Sequence, residues 1–103
     1  MAARLVWSNQ ARADLLDIYT MIGLEQPAAA DRYFDRIEDK ARLLTTQPRM
    51  GVRRSDIRPS MRMLVEAPYL ILYCTEPDTN EGPVRTVEII RIIDGRRDLR
   101  GIF

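Results

Sequence analysis

The sequence predicts an α+β fold: an N-terminal strand, a helical hairpin, then a three-stranded antiparallel meander. Three observations carry that prediction. Residues 84–93, VRTVEIIRII, hold Val84, Thr86, Val87, Ile89, Ile90, Ile92 and Ile93, and such β-branched side chains fit a pleated sheet better than a helix. Residues 9–22 and 27–44 repeat apolar side chains at helical spacing. Two short apolar runs, 61–66 and 69–75, flank a turn at Pro68.

Arg4–Trp7 is short and apolar and reads as the first strand. Ser8 or Asn9 can cap the following helix by accepting a backbone N–H bond. Ala11, Leu15, Ile18 and Ile22 form its apolar stripe, Asp14 and Asp17 suit the positive end of its dipole, and Gly23 is a natural C-cap. Pro27 fits the first position of a second helix, where a missing N–H costs nothing. Its stripe is Ala30, Phe34, Ile37, Ala41 and Leu44, with Arg32, Asp35, Arg36, Asp39 and Lys40 on the other face, and Pro48 marks its limit. Residues 47–60 read as a loop, 61–66 and 69–75 as strands, and 76–83 as a polar hairpin loop. The last strand is apolar on both faces, with Val87, Ile89 and Ile93 on one and Ile90 and Ile92 on the other. That pattern predicts a central strand buried on two sides, broken at Gly95.

The 103 residues are expected to form a single domain, 1–103. The N-terminus lacks a charged-then-apolar signal, no apolar run approaches a membrane span, and Cys74 is the sole cysteine. Cytoplasmic residence without membrane association is therefore expected. With no histidine and one thiol, no metal site or other cofactor is expected.

Net charge is only +1, but the distribution is uneven. Residues 47–75 hold five arginines against Asp56 and Glu66, and residues 91–103 hold Arg91, Arg96, Arg97 and Arg100 against Asp94 and Asp98. Arginine is the better planar, bidentate partner for carboxylate or phosphate. The acidic loop Glu76–Glu81 argues against strong binding to free nucleic acid.

Three segments in series, VWSNQARADLLDIY, DIRPSMRMLVEAPYLILYCTE and VEIIRIIDGRRDL, resemble the ParE branch of the RelE/ParE toxin superfamily. The resemblance spans nearly the whole chain and implies the same architecture. It also implies a ParD-like antitoxin partner in a hetero-oligomeric complex, and DNA gyrase as a target inhibited by binding. The chain departs from the family's pattern at Asp94, where histidine is frequent, and at Cys74, where arginine is frequent. Asp94 beside Arg96 and Arg97 is expected to form a local ion pair that partly masks the basic cluster.

In that setting the target-binding candidates are Arg91, Arg96, Arg97, Arg100, Arg58 and Arg62. Arg58 and Arg62 have a plainer alternative as ion-pair partners of Asp56 and Glu66. The antitoxin-binding candidates are Leu16, Tyr19, Tyr33, Met63 and Tyr69, the side chains suited to a groove for an antitoxin helix.

The RelE branch, by contrast, cuts messenger RNA on the ribosome. Such cleavage needs a base, an acid and cations for the phosphate. This chain has no histidine, a single lysine at Lys40, and arginines whose high pKa makes them poor proton carriers. Glu88 with an arginine and Tyr73 is the one conceivable catalytic set. Action by binding is therefore the leading expectation. A RelE-like endonuclease and a non-toxic binding remnant of the family are the alternatives.

Overall fold

The computed structural model describes residues 2–97. The elements are β1 (Arg4–Trp7), α1 (Asn9–Gly23), α2 (Pro27–Leu43), β2 (Val52–Arg53), β3 (Arg62–Glu66), β4 (Tyr69–Glu76) and β5 (Thr86–Asp94). The strands form one sheet in the order β1-β5-β4-β3-β2. The meander β3–β4–β5 is antiparallel, as the sequence predicts. The sheet as a whole is mixed, because β1 runs parallel to β5 with Arg4 opposite Thr86. The segment expected to be loop from 47 to 60 contains β2, whose two residues pair with Met63 and Arg62.

The helical hairpin lies on one face of the sheet. Of its predicted stripes, Ala11 and Leu15 from α1 and Ala30, Ile37, Ala41 and Leu44 from α2 and its end are buried, while Ile18, Ile22 and Phe34 are partly buried. All of these but Ala30 meet Leu64, Ile71, Tyr73, Val87, Ile89 and Ile92 in the main core. Each large aliphatic side chain fully buried there contributes roughly 1.5–3 kcal/mol. Helix α1 does not end as expected. Gly23 is its last residue, and Leu24 caps it in ordinary helical geometry.

A second cluster forms on the opposite face, where Met61, Leu72 and Ile93 are packed by Ile57, Met63, Cys74 and Ile90. This face changes the expected alternation of β5. The register slips between Leu72 and Tyr73, which pair with Arg91 and Ile89 and leave Ile90 as an extra residue. A bulge of this kind shifts the pleat by one. Ile92 therefore joins Val87 and Ile89 beneath the helices, while Ile93 joins Ile90 on the far face.

β1 stops at Trp7, so the edge of β5 beyond Ile89 lacks a strand partner on that side. The start of α1 takes its place. The Ser8 backbone N–H donates to Ile89 O at 3.0 Å. The Ser8 hydroxyl donates to Ile90 O at 2.8 Å while accepting from the Ala11 N–H at 3.0 Å. One side chain thus caps the helix and continues the ladder. Asp14, one turn further, accepts from the Ile92 N–H at 3.0 Å.

Loop 44–51 is tied down by Tyr73, whose hydroxyl donates to Pro48 O and accepts from the Gly51 N–H, both at 2.9 Å. Arg49 reaches across to the 76–85 loop and donates to Thr79 O and Gly82 O.

Candidate functional site

The end of β5 gathers the groups that the sequence singles out. Gly95 turns the chain, and its N–H donates to Pro68 O at 2.8 Å, which fixes the turn against the β3–β4 connection. Arg96 folds back on Asp94. Its Nε donates to Oδ1 at 2.9 Å, its Nη2 to Oδ2 at 2.5 Å, and its backbone N–H to Oδ1 at 2.9 Å. The expected local ion pair therefore exists. These bonds hold the Asp94 carboxyl well below its ordinary 3.8, at about 2, and push the Arg96 guanidinium up. Arg97 is exposed beside it.

The other candidate arginines are placed differently. Arg91 gives both Nε and Nη2 to Asp14, at 2.7 and 3.0 Å, with the two side chains only 18% and 9% exposed. The Asp14 bond raises the Arg91 pKa. Arg91 thus serves to fasten α1 to β5, and Asp14, expected only to complement the helix dipole, is the anchor.

Arg62 is buried and donates to Gly51 O at 2.9 Å, with its Nε unpartnered among the described residues. It stands at the opposite end of β3 from the Asp94 level of the sheet, since Arg62 pairs with Tyr73 and Glu66 with Tyr69. Arg58 is exposed on the loop before β3. Asp56 pairs with Arg54 and Glu66 with Lys40. Arg100 lies outside the described residues. The turn thus brings together Arg96 and Arg97 but neither Arg58 nor Arg62.

The candidates fall in three places: Leu16 and Tyr19 on α1, Tyr33 on α2 against Tyr69 of β4, and Met63 on β3. Leu16, 63% exposed, and Tyr19 line hollows of about 290 and 360 Å³ that share Leu16 and Phe34. Tyr19 packs edge-on to Phe34 at 5.6 Å and donates its hydroxyl to Asp31 at 2.9 Å, a bond that raises its pKa. Trp7 also lines this groove. Phe34 is predicted as part of the buried α2 stripe, and Trp7 as the end of the first strand. Their place in the groove wall follows from how α1 packs on α2, which leaves Leu16 and Tyr19 beside the α2 stripe.

Tyr33 and Tyr69 pack edge-to-face at 5.6 Å. They line a separate cleft of about 570 Å³ together with Met21, Ala29, Pro68 and Arg96. Burial raises the Tyr69 pKa, aided by the Asp94 charge. Met63 lies on the far face of the sheet, where its sulfur accepts from Arg54 at 3.2 Å.

The conceivable catalytic set does not assemble. Tyr73 is fully buried beneath the helices with its hydroxyl spent on loop 48–51. Glu88 is exposed and lines a hollow with Ser60 and Cys74, on the face away from the helices. No helix of the described residues is long and apolar enough to cross a membrane.

The chain matches the family model described as the ParE toxin of the type II toxin–antitoxin system parDE, over residues 5–99. It is 36% identical over 70 residues to Toxin ParE3 of Caulobacter vibrioides, a match covering 68% of this chain and 63% of that protein. The matched stretch therefore falls just short of two thirds of that relative's length. Among solved structures, the fold is similar to a chain of the chromosomal ParDE TA system from P. aeruginosa. That likeness has a TM-score of 0.71 and 24% identity, and covers 90% of this chain and 96% of the other.

Proposed function

We infer the function from one premise: this chain belongs to the ParE toxin family of type II toxin–antitoxin systems. On our reading it is the toxin of such a module. It acts in the cytoplasm by binding and inhibiting DNA gyrase, without catalytic chemistry of its own, and a ParD-like antitoxin neutralises it in a hetero-oligomeric complex. The observation that carries the binding mode is the separation of Tyr73 from Glu88. The tyrosine is sealed under loop 48–51, and the carboxylate stands on the other face of the sheet. A general base for the attacking hydroxyl and a general acid for the leaving oxygen must both reach one scissile phosphodiester, and side chains on opposite faces of the sheet do not. The exposed Arg96–Arg97 turn supports a target contact through charge and hydrogen bonds. The apolar groove at Leu16, Tyr19 and Phe34 supports an amphipathic antitoxin helix.

Expression without the antitoxin tests this reading. Growth arrest accompanied by a DNA-damage response is the expected result. Arrest with normal plasmid supercoiling and no damage response would remove gyrase as the target. Fragmented transcripts in the same cells would transfer the assignment to ribosome-dependent cleavage.

A further inference from the structure

Two arginines near the end of β5 meet carboxylates through the same two-pronged geometry, yet they are held differently. Arg91 and Asp14 are shielded by α1, and Asp14 has a further bond to the Ile92 N–H. Breaking that pair would strand a charge away from water. Arg96 reaches into solvent at 77% exposed while Asp94 is 27% exposed, and Asp94 also accepts from the Arg96 N–H. An ion pair in water holds only weakly. A planar fork that already accepts one carboxylate bidentately will accept another.

The surroundings of Arg96 specify which oxyanion that is. Its side chain lines the same cleft as Met21, Ala29, Tyr33, Pro68 and Tyr69. The lining therefore pairs an apolar and aromatic part, at Met21, Tyr33 and Tyr69, with polar groups at Gln26 and Arg96, and suits a side chain that carries both characters. Glu25 also lines the cleft, and Asp94 is bonded to its Arg96, so a polyanion would be repelled there. A single carboxylate beside an apolar group satisfies both conditions.

We propose that the end of β5 is a carboxylate-exchange site for a protein partner. Asp94 fills the Arg96 fork in the free chain and yields it to an acidic side chain whose apolar neighbour enters the cleft at Tyr33 and Tyr69. Asp94 then sets the affinity of this surface by competing for its own arginine. The proposal rests on the protein-binding reading given above only in supposing that such a partner exists, and the surface can be tested with gyrase and antitoxin absent.

The test is a nuclear magnetic resonance titration of the full chain, following the Arg96 Nε–H and the ring signals of Tyr33 and Tyr69. The probes are acetyl-Glu-Leu-amide, acetyl-Gln-Leu-amide and inorganic phosphate. The glutamyl peptide is expected to move all three signals at lower concentration than the other two probes. Asp94→Asn is expected to lower its midpoint about two- to fivefold, the range an exposed ion pair commands. Arg96→Gln is expected to abolish the preference for glutamyl over glutaminyl while keeping the tyrosine response. Equal response to both peptides, an unchanged midpoint in Asp94→Asn, or a preference that survives Arg96→Gln would overturn the proposal. Phosphate acting on Arg96 as strongly as the glutamyl peptide would also overturn it and point to nucleic acid. A chain that leaves gyrase untouched yet passes this titration would lose the toxin reading and keep the exchange site.

Discussion

Asp14 carries more of the structure than its place in the first turns of a helix suggests. It accepts from the Arg91 guanidinium, the Ile92 N–H and Gln10 Nε2. Asp14→Ala would leave a half-buried guanidinium and a buried N–H without their acceptor. It is expected to lower stability by about 3 kcal/mol, read from the urea midpoint at unchanged slope. Asp94 presents the opposite case, a carboxylate whose partner is in solvent. Its folded pKa lies at about 2, below the ordinary value of about 3.9 in an unfolded chain. A group depressed in this way contributes fully above the unfolded value, and the contribution is lost as pH falls through the folded one. The Asp94–Arg96 pair is therefore expected to stay closed from about pH 5 to 8. The gain from Asp94→Asn should be the same at both limits, which repeating the peptide titration at each pH checks. A gain that vanished near pH 5 would mean that Asp94 was already protonated there.

At the scale of elements, the helical hairpin presents two kinds of surface, and its stripes reveal only one of them. The buried stripe of α1 and α2 was legible because helical spacing fixes which side chains share a face. The outer groove was not, because Leu16 and Tyr19 come from one helix and Phe34 from the other, and their meeting depends on how the helices pack. Leu16→Glu places a charge on a side chain that is already 63% exposed. Stability is expected to stay within about 0.5 kcal/mol, while antitoxin affinity falls about 30-fold or more, as for a central interface anchor. Titration calorimetry against the product of the adjacent gene measures this, and unchanged affinity would move the antitoxin's seat elsewhere. The loop before β2 is equally specific. A Cβ on Gly51 would stand 2.5 Å from the Tyr73 hydroxyl oxygen and 2.9 Å from Met63 O. Gly51→Ala must displace a buried hydrogen-bonded tyrosine, so a loss of about 2 kcal/mol is expected in thermal or urea unfolding.

For the whole molecule, the order of strands and helices was readable from β-branched runs, apolar spacing and proline positions. The parallel pairing of β1 with β5 was not, because alternation shows which face a side chain takes and says nothing of strand direction. The bulge at Ile90 was hidden for a related reason. In a strand apolar on both faces, a one-residue slip leaves no polar side chain misplaced to signal it. The candidate site was legible as composition, an arginine cluster closing a strand. Its division into a locked Arg91 and a lightly held Arg96 depends on Asp14, 77 residues away in sequence from Arg91. The fold therefore leaves Arg96 and Arg97 as the exposed arginines of that cluster among the described residues, with Arg96 lining a cleft. The most direct test is a gyrase reaction on plasmid DNA with the purified chain, with and without the protein from the adjacent gene. Linear plasmid that accumulates with the chain, disappears with its neighbour and is lost in an Arg96→Gln, Arg97→Gln double variant is the expected result. Supercoiling that proceeds undisturbed at every concentration of the folded chain would contradict the assignment of gyrase as its target.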